Sequence, residues 1–352
     1  MIRILRFLLF PLAVLYFLVT EFRNFLFQAR IMRGARFDKP IISVGNLSTG
    51  GTGKSPMIEY LVRLIQKDDK KLAVLSRGYG RKTNGYLKVN TDTRSSQCGD
   101  EPLQFKNKFP EVDVAVCERR VDGIIHLIKE NEKLDVILLD DAYQHRAVKP
   151  SFSILTTSFY KPFFTDFILP VGDLREMRRN AQRANAIVIT KCAEGISEGD
   201  KKFYRALCSR YSKAPVFFSK VKYGDIKPVF SSGKNIPFTN NVLLVTGIAD
   251  ASLLEEKVKE HSATVHLRFG DHHIFSEKDI ELIAEKFARF ANEDKIILTT
   301  EKDAMRFQSL PENLLAAVKN LPFYYIGIEH EFLPEEEKNF DQLILEHVRT
   351  FK

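Results

Sequence analysis

The chain has 352 residues, 44% hydrophobic and 28% charged, which excludes a disordered or low-complexity polymer and leaves room for two cores of ordinary size. Its four cysteines, Cys98, Cys117, Cys192 and Cys208, lie far apart with no C-x-x-C pair and no histidine at ligand spacing; this excludes a zinc finger or disulfide framework and fits a reducing compartment. The net charge of +8 is concentrated at one end, where six arginines between Met1 and Arg36 face the single acid Glu21, so no nucleic-acid partner is expected.

Within that end, Phe7 to Val19 reads FLLFPLAVLYFLV and carries no charge. The run falls short of the roughly 20 apolar residues that span a bilayer comfortably, although a tilted or thin span stays open if Ile4 and Leu5 are included and Arg6 snorkels. Phe22, Phe25, Leu26 and Ala29 follow at helical spacing, with Arg23 and Arg30 elsewhere on the wheel, the pattern of a basic interfacial helix. A cleaved signal peptide and a buried structural helix are the alternatives. No small-residue cleavage site follows, and the arginines favour anionic headgroups, so residues 1–36 are expected to associate with a membrane.

Beyond Arg36, short β-branched runs alternate with helical stretches. Strands are expected at Ile41 to Val44, Leu72 to Leu75, Val112 to Cys117, Val136 to Leu139, Phe152 to Leu155 and Ala186 to Ile189, with helices at Met57 to Gln66, Val121 to Glu130 and Lys201 to Tyr211. This is the rhythm of a doubly wound, mainly parallel α/β sheet, with ligands at the carboxyl ends of its strands. It predicts a core domain over 37–222. The turn-rich stretch 223–240, with Gly224, Pro228, Ser231, Ser232, Gly233 and Pro237, reads as a linker. A second, smaller α/β domain over 241–352 follows, with strands at Val242 to Val245, Lys295 to Thr299 and Phe323 to Ile326, and helices at Ser252 to Glu260, Glu277 to Phe290 and from about Glu335.

The first strand leads into Ser48, Thr49, Gly50, Gly51, Thr52, Gly53, Lys54 and Ser55, a phosphate-binding loop between strand and helix. Glycines let successive N–H groups converge on phosphate oxygens, the helix N-terminus adds positive potential, Lys54 reaches the β- and γ-phosphates and Ser55 offers a hydroxyl to Mg²⁺. Ser48 stands where such loops usually begin with Gly. The strand VILLDD ends in Asp140 and Asp141, which places two carboxylates beside the loop, where a cation such as Mg²⁺ would relieve their repulsion. Gly99, Asp100, Glu101 and Pro102 form an acidic turn before a helix. It reads either as a helix cap or as a proton acceptor for an attacking hydroxyl, with Glu101 assisting a metal. Asp271, His272 and His273 offer a histidine-carboxylate pairing, and Arg175, Arg178, Arg179 and Arg183 either a solvated face or an anion-binding surface.

In order, the strings PIISVGNLSTGGTGKSP, LSRGYGR, GDEP, DDAYQHR, LPVGDLRE, VTGIAD, FGDHHIF and LTTEKDA resemble tetraacyldisaccharide 4′-kinase, the lipid A 4′-kinase family of Gram-negative bacteria. The resemblance implies a P-loop NTPase fold and transfer of the ATP γ-phosphoryl group, with Mg²⁺, to the 4′-hydroxyl of a tetraacylated glucosamine disaccharide 1-phosphate. It implies a membrane lipid substrate and a location at the cytoplasmic face of the inner membrane. Carried over, it makes Asp100 the proton acceptor, coupled to His272. Arg175 becomes a phosphate contact, Asp140, Asp141, Glu101 and Glu176 metal ligands or their supports, and Tyr79, Arg119 and Arg120 contacts for the lipid headgroup.

From the residues alone, the rival is a membrane-tethered ATPase switch of the partitioning type. Those loops carry Lys before the Gly-Gly, where Thr49 stands here. A GTPase would need an N-K-x-D string, and the nearest run, Ile189, Thr190, Lys191 and Cys192, lacks both Asn and Asp.

Overall fold

The computed structural model describes residues 6–230, 236–290 and 294–351. Ile4 and Leu5 of the apolar run, and Ser231, Ser232 and Gly233 of the expected linker, lie outside the described residues. Among the described residues, twelve strands form one sheet, in the order β10-β9-β11-β12-β8-β7-β6-β1-β5-β2-β4-β3. In chain order they are β1 Ile41–Gly45, β2 Leu72–Ser76, β3 Leu87–Val89, β4 Asp113–Val116, β5 Val136–Asp140, β6 Phe152–Ser158, β7 Ala186–Thr190, β8 Val216–Pro228, β9 Asn241–Thr246, β10 Ala263–Arg268, β11 Lys295–Thr300 and β12 Phe323–Phe332. All neighbours run parallel except β3 with β4 and β12 with β8.

Strand β1 sits between β5 and β6, and is buried along its whole length. Because successive side chains point to opposite faces, its sequence divides between two cores. Ile42 and Val44 join Val74 and Leu138 under the helix Lys54–Gln66, whereas Ile41 joins Leu75, Ile137 and Leu139 under the helix Arg120–Glu130. Each such fully buried aliphatic side chain contributes about 1.5–3 kcal/mol. The helix Lys54–Gln66 buries Met57, Ile58, Leu61, Val62 and Ile65, one face at helical spacing, and Pro56 falls in its first turn, where a missing N–H costs nothing.

The sequence reading differs from the fold most at the expected linker. Tyr223 to Pro228 are the second half of β8, a 13-residue strand. Its start, Val216 to Phe218, pairs parallel with β7, and from Ser219 to Pro228 it pairs antiparallel with β12. Gly224 and Pro228 read locally as breakers, but a partner strand more than 95 residues away supplies the ladder. The hydrophobic core is equally continuous: Leu243, Val245, Ile297 and Phe307 from the later strands and helices belong to the same cluster as Ile42 and Leu61.

Near the start, the helix Phe10–Gln28 lies along the surface and buries only Ala13, Thr20 and Asn24. Its polar groups face the protein. Arg6 binds Asp173 at 2.9 Å, the Tyr16 hydroxyl donates to the Arg175 carbonyl at 3.0 Å, and Arg146 donates to the Asn24 carbonyl and side chain, both at 3.1 Å. Phe10, Leu12, Leu15, Leu18, Val19, Phe22 and Phe25 are left exposed, an apolar face of the kind that marks an interaction surface. By length and composition the helix could also cross a membrane.

Arg23 and Arg183 clamp the two oxygens of Glu176, which has no exposed surface. Burial raises the Glu176 pKa, and the two guanidiniums pull it back only in part. Glu176→Ala strands two guanidiniums that lose their shared partner, and is expected to cost about 3 kcal/mol of stability and loosen the helix. Urea unfolding and limited proteolysis within 10–28 would measure both. An unchanged unfolding midpoint would show that the clamp contributes nothing.

Candidate active site

Loop, strand ends and acidic turn meet at the carboxyl edge of the sheet. After β1, Asn46 braces the loop from within: its Nδ2 donates to Thr52 Oγ1 at 2.8 Å, and Thr52 Oγ1 lies 2.9 Å from Thr156 Oγ1. At the loop's entrance, Ser48 bridges to Leu174 and the Thr49 N–H donates to the Asp173 carbonyl at 2.7 Å. The chain turns through Gly50 at φ 99° and Gly53 at φ 78°, conformations that a side chain would strain, and the helix begins at Lys54.

Lys54 Nζ lies 3.5 Å from Asp141 Oδ1, and Arg175 grips both oxygens of the same carboxylate at 3.2 and 2.9 Å while also binding Asn46 Oδ1. Burial alone would raise the Asp141 pKa, but Lys54 and Arg175 outweigh it and bring it down to about 2. Its neighbour behaves in the opposite way. Asp140 is pushed up to about 7 by burial, then by the charges of Glu101 and Asp141. Ser76 donates to Asp140 Oδ2 at 3.1 Å, whereas Oδ1 is buried with no hydrogen-bond partner among the described residues.

That orphaned oxygen, in a ring of like charge, fits a divalent cation. Among the described residues no three His, Cys, Asp or Glu side chains converge as a complete metal cage. Mg²⁺ needs none, since it keeps waters and takes phosphate oxygens beside one or two carboxylates. Asp140, Asp141 and the Ser55 hydroxyl fit that donor set.

Asp100 opens the helix Asp100–Lys108, behind Gly99 at φ 94°. Arg306 Nε donates to Asp100 Oδ2 at 2.7 Å and His272 Nδ1 lies 3.5 Å from the same oxygen, while Oδ1 has no hydrogen bond among the described residues. Burial pushes the Asp100 carboxyl up, yet the His272 contact and the Arg306 charge overcome this and hold it below the usual carboxylate range. Lys302 completes the arrangement, 2.8 Å from Glu101 and 3.4 Å from His272 Nε2. His272 adopts φ 57°, a conformation rare for residues other than glycine and often kept where function constrains the backbone. His273 turns away to Asp279 at 3.0 Å and stacks on Phe269.

Other expected site residues fall elsewhere. Glu176, expected as a metal support, is ion-paired to Arg23 and Arg183 and so ties the first helix to the chain beside Arg175. Arg120 is corrected from a headgroup contact to a buried strut: it is 2% exposed and donates to the Cys117 and Asp140 carbonyls at 2.9 and 3.4 Å. Arg119 stays exposed beside Asp122, and Tyr79, 65% exposed, sets its ring 4.9 Å from that of His272. The run Arg175 to Arg183 is not one anion surface, because Arg178 binds the Asp166 carbonyl, Arg179 binds Glu21 and Arg183 binds Glu176. Only Arg175 faces the loop. The residues that sequence reasoning missed are Asn46, Lys302 and Arg306. The last two are four apart on the helix Glu301–Gln308, a spacing that puts them on one face, and the string LTTEKDA already marked that helix's start.

Comparison with known proteins bears on the family and the fold. The family model for tetraacyldisaccharide-1-P 4′-kinase, LpxK, matches residues 5–349. The tetraacyldisaccharide 4′-kinase of Parabacteroides distasonis is 42% identical over 97% of this chain and 95% of its own length. That of Flavobacterium psychrophilum is 43% identical over 98% of each. Among solved structures, LpxK from Aquifex aeolicus in complex with ATP superposes with a TM-score of 0.74 at 26% identity, covering 98% of this chain and 99% of that one. A match of this extent in both sequence and fold leaves a single conclusion: the chain belongs to the tetraacyldisaccharide 4′-kinase family and is an ATP-binding kinase of lipid A biosynthesis.

Proposed function

We propose that the chain transfers the γ-phosphoryl group of ATP to the 4′-hydroxyl of a tetraacyl glucosamine disaccharide 1-phosphate. The observation that carries this reading is Asp100, whose Oδ2 is held by Arg306 and His272 while Oδ1 is left for a partner. In the reaction a bond forms between the 4′-oxygen and the γ-phosphorus, the bond from that phosphorus to the β–γ bridging oxygen breaks, and the hydroxyl proton passes to Asp100. ADP leaves with the bridging oxygen.

Residues Ser48 to Ser55 bind the nucleotide, with Lys54 directed at the β- and γ-phosphates and Arg175 at the charge that develops during transfer. Ser55, Asp140 and Asp141 would hold Mg²⁺, with Glu101 nearby; when bound, the ion neutralises the phosphate oxygens. Tyr79 and Arg119, exposed beside the acidic turn and the helix Arg120–Glu130, are the headgroup contacts. The first helix supports a place on the cytoplasmic face of the inner membrane, because its polar stripe is spent on the protein and its apolar face is free for lipid.

The test is incubation of the purified chain with γ-labelled ATP, Mg²⁺ and the lipid disaccharide phosphate in mixed micelles. Label is expected in the lipid. Label released only as inorganic phosphate, and faster with a protein partner, would replace the kinase reading with the switch.

A further inference from the structure

His330, on β12, lies far in sequence from every motif above, yet it is buried against the phosphate-binding loop. Its Nε2 is 2.8 Å from the Gly53 carbonyl oxygen and its Nδ1 is 2.9 Å from Ser219 Oγ on β8. A carbonyl only accepts, so Nε2 carries the proton and Nδ1 accepts from the Ser219 hydroxyl. Ser219 thus fixes the tautomer. The approach requires glycine: a Cβ on Gly53 would fall 2.9 Å from His330 Cε1.

The geometry has a directional consequence. In a planar trans peptide the C=O and the following N–H point in opposite directions. The Gly53 oxygen already accepts the helix's first bond, from the Met57 N–H at 3.1 Å, and His330 adds a second, closer donor from β12; the two hold the Lys54 N–H the other way, out from the helix N-terminus where an anion would sit. Thr190 repeats the device one residue earlier. From the end of β7 its hydroxyl donates to the Thr52 carbonyl at 3.0 Å, which turns the Gly53 N–H in the same sense.

We propose that His330, set by Ser219, and Thr190 are positioning residues for ATP, pinning two successive peptide groups so that the N–H groups of Gly53 and Lys54 meet the phosphates. The inference rests on the reading of the loop as the ATP site. Burial of the ring keeps it neutral, which preserves the donor at Nε2.

Equilibrium ATP binding and thermal unfolding of four full-length proteins test it: wild type, His330→Gln, His330→Asn and Ser219→Ala. A glutamine amide reaches near the Nε2 position and keeps the donor. An asparagine amide reaches only the Nδ1 position, keeps Ser219 and loses Gly53. His330→Asn is expected to weaken ATP binding by about tenfold or more, as for loss of alignment at a charge-assisted hydrogen bond. His330→Gln should recover most of that loss at a similar unfolding midpoint, and Ser219→Ala should show a partial loss with the ring in place. Wild-type affinity in His330→Asn, or equal losses in Asn and Gln that track stability, would overturn the proposal. Wild type that fails to bind ATP would overturn the loop's assignment itself.

Discussion

Asp100→Asn is expected to lower phosphoryl transfer by about 10²- to 10⁴-fold, the range for a lost proton acceptor, while ATP binding stays near wild type. The asparagine amide keeps the size of the carboxyl but cannot take the hydroxyl proton. The fold should tolerate the change, because Arg306 retains Asp303 at 2.5 Å and the Gly247 carbonyl at 2.8 Å. Single-turnover transfer and equilibrium ATP binding, measured on the same preparation, separate the two effects. A parallel loss of both would move Asp100 to nucleotide or metal binding. His272→Ala is the internal comparison. If His272 acts through Asp100, its loss should cost transfer less than Asp100→Asn, and an unchanged rate would remove it from the mechanism.

Lys54→Met should be the next most damaging change, with transfer falling by about 10²- to 10³-fold, as when a preorganised donor to a developing anion is deleted. Unlike Asp100→Asn, it should weaken ATP binding too. Lys54 and Arg175 share the Asp141 carboxylate, so losing the lysine leaves Arg175 as that acid's only cationic contact among the described residues and raises its pKa from about 2. A variant that binds ATP normally and transfers at the wild-type rate would mean that the triphosphate lies elsewhere.

What the sequence made legible was local. The strand Ile41–Gly45, the loop and the helix Lys54–Gln66 follow one another without interruption, and each is announced by its own residues: β-branched, then glycine-rich, then apolar at helical spacing. What stayed hidden depends on partners far along the chain. Strand β8 carries Lys220, Lys222, Gly224 and Pro228 and looks like a turn until β12 pairs with it. Arg306 reaches Asp100 across 206 positions, and His330 reaches Gly53 across 277. Arg120 misled for another reason. Arginine is normally read as exposed, but here two main-chain carbonyls hold the terminal nitrogens of a buried guanidinium, and burial brings its pKa down to about 10.

Strand β8 also bears on whether this protein can be divided. Separate expression of 37–222 and 241–352 would leave Val216–Phe218 on β7 but take β8 from β12, so that the shortened β8 and β12 each become an open border of a long apolar sheet. Unpaired borders of that kind recruit other chains, so the fragments would be prone to aggregate rather than to reassemble. The two halves are therefore expected to persist only together.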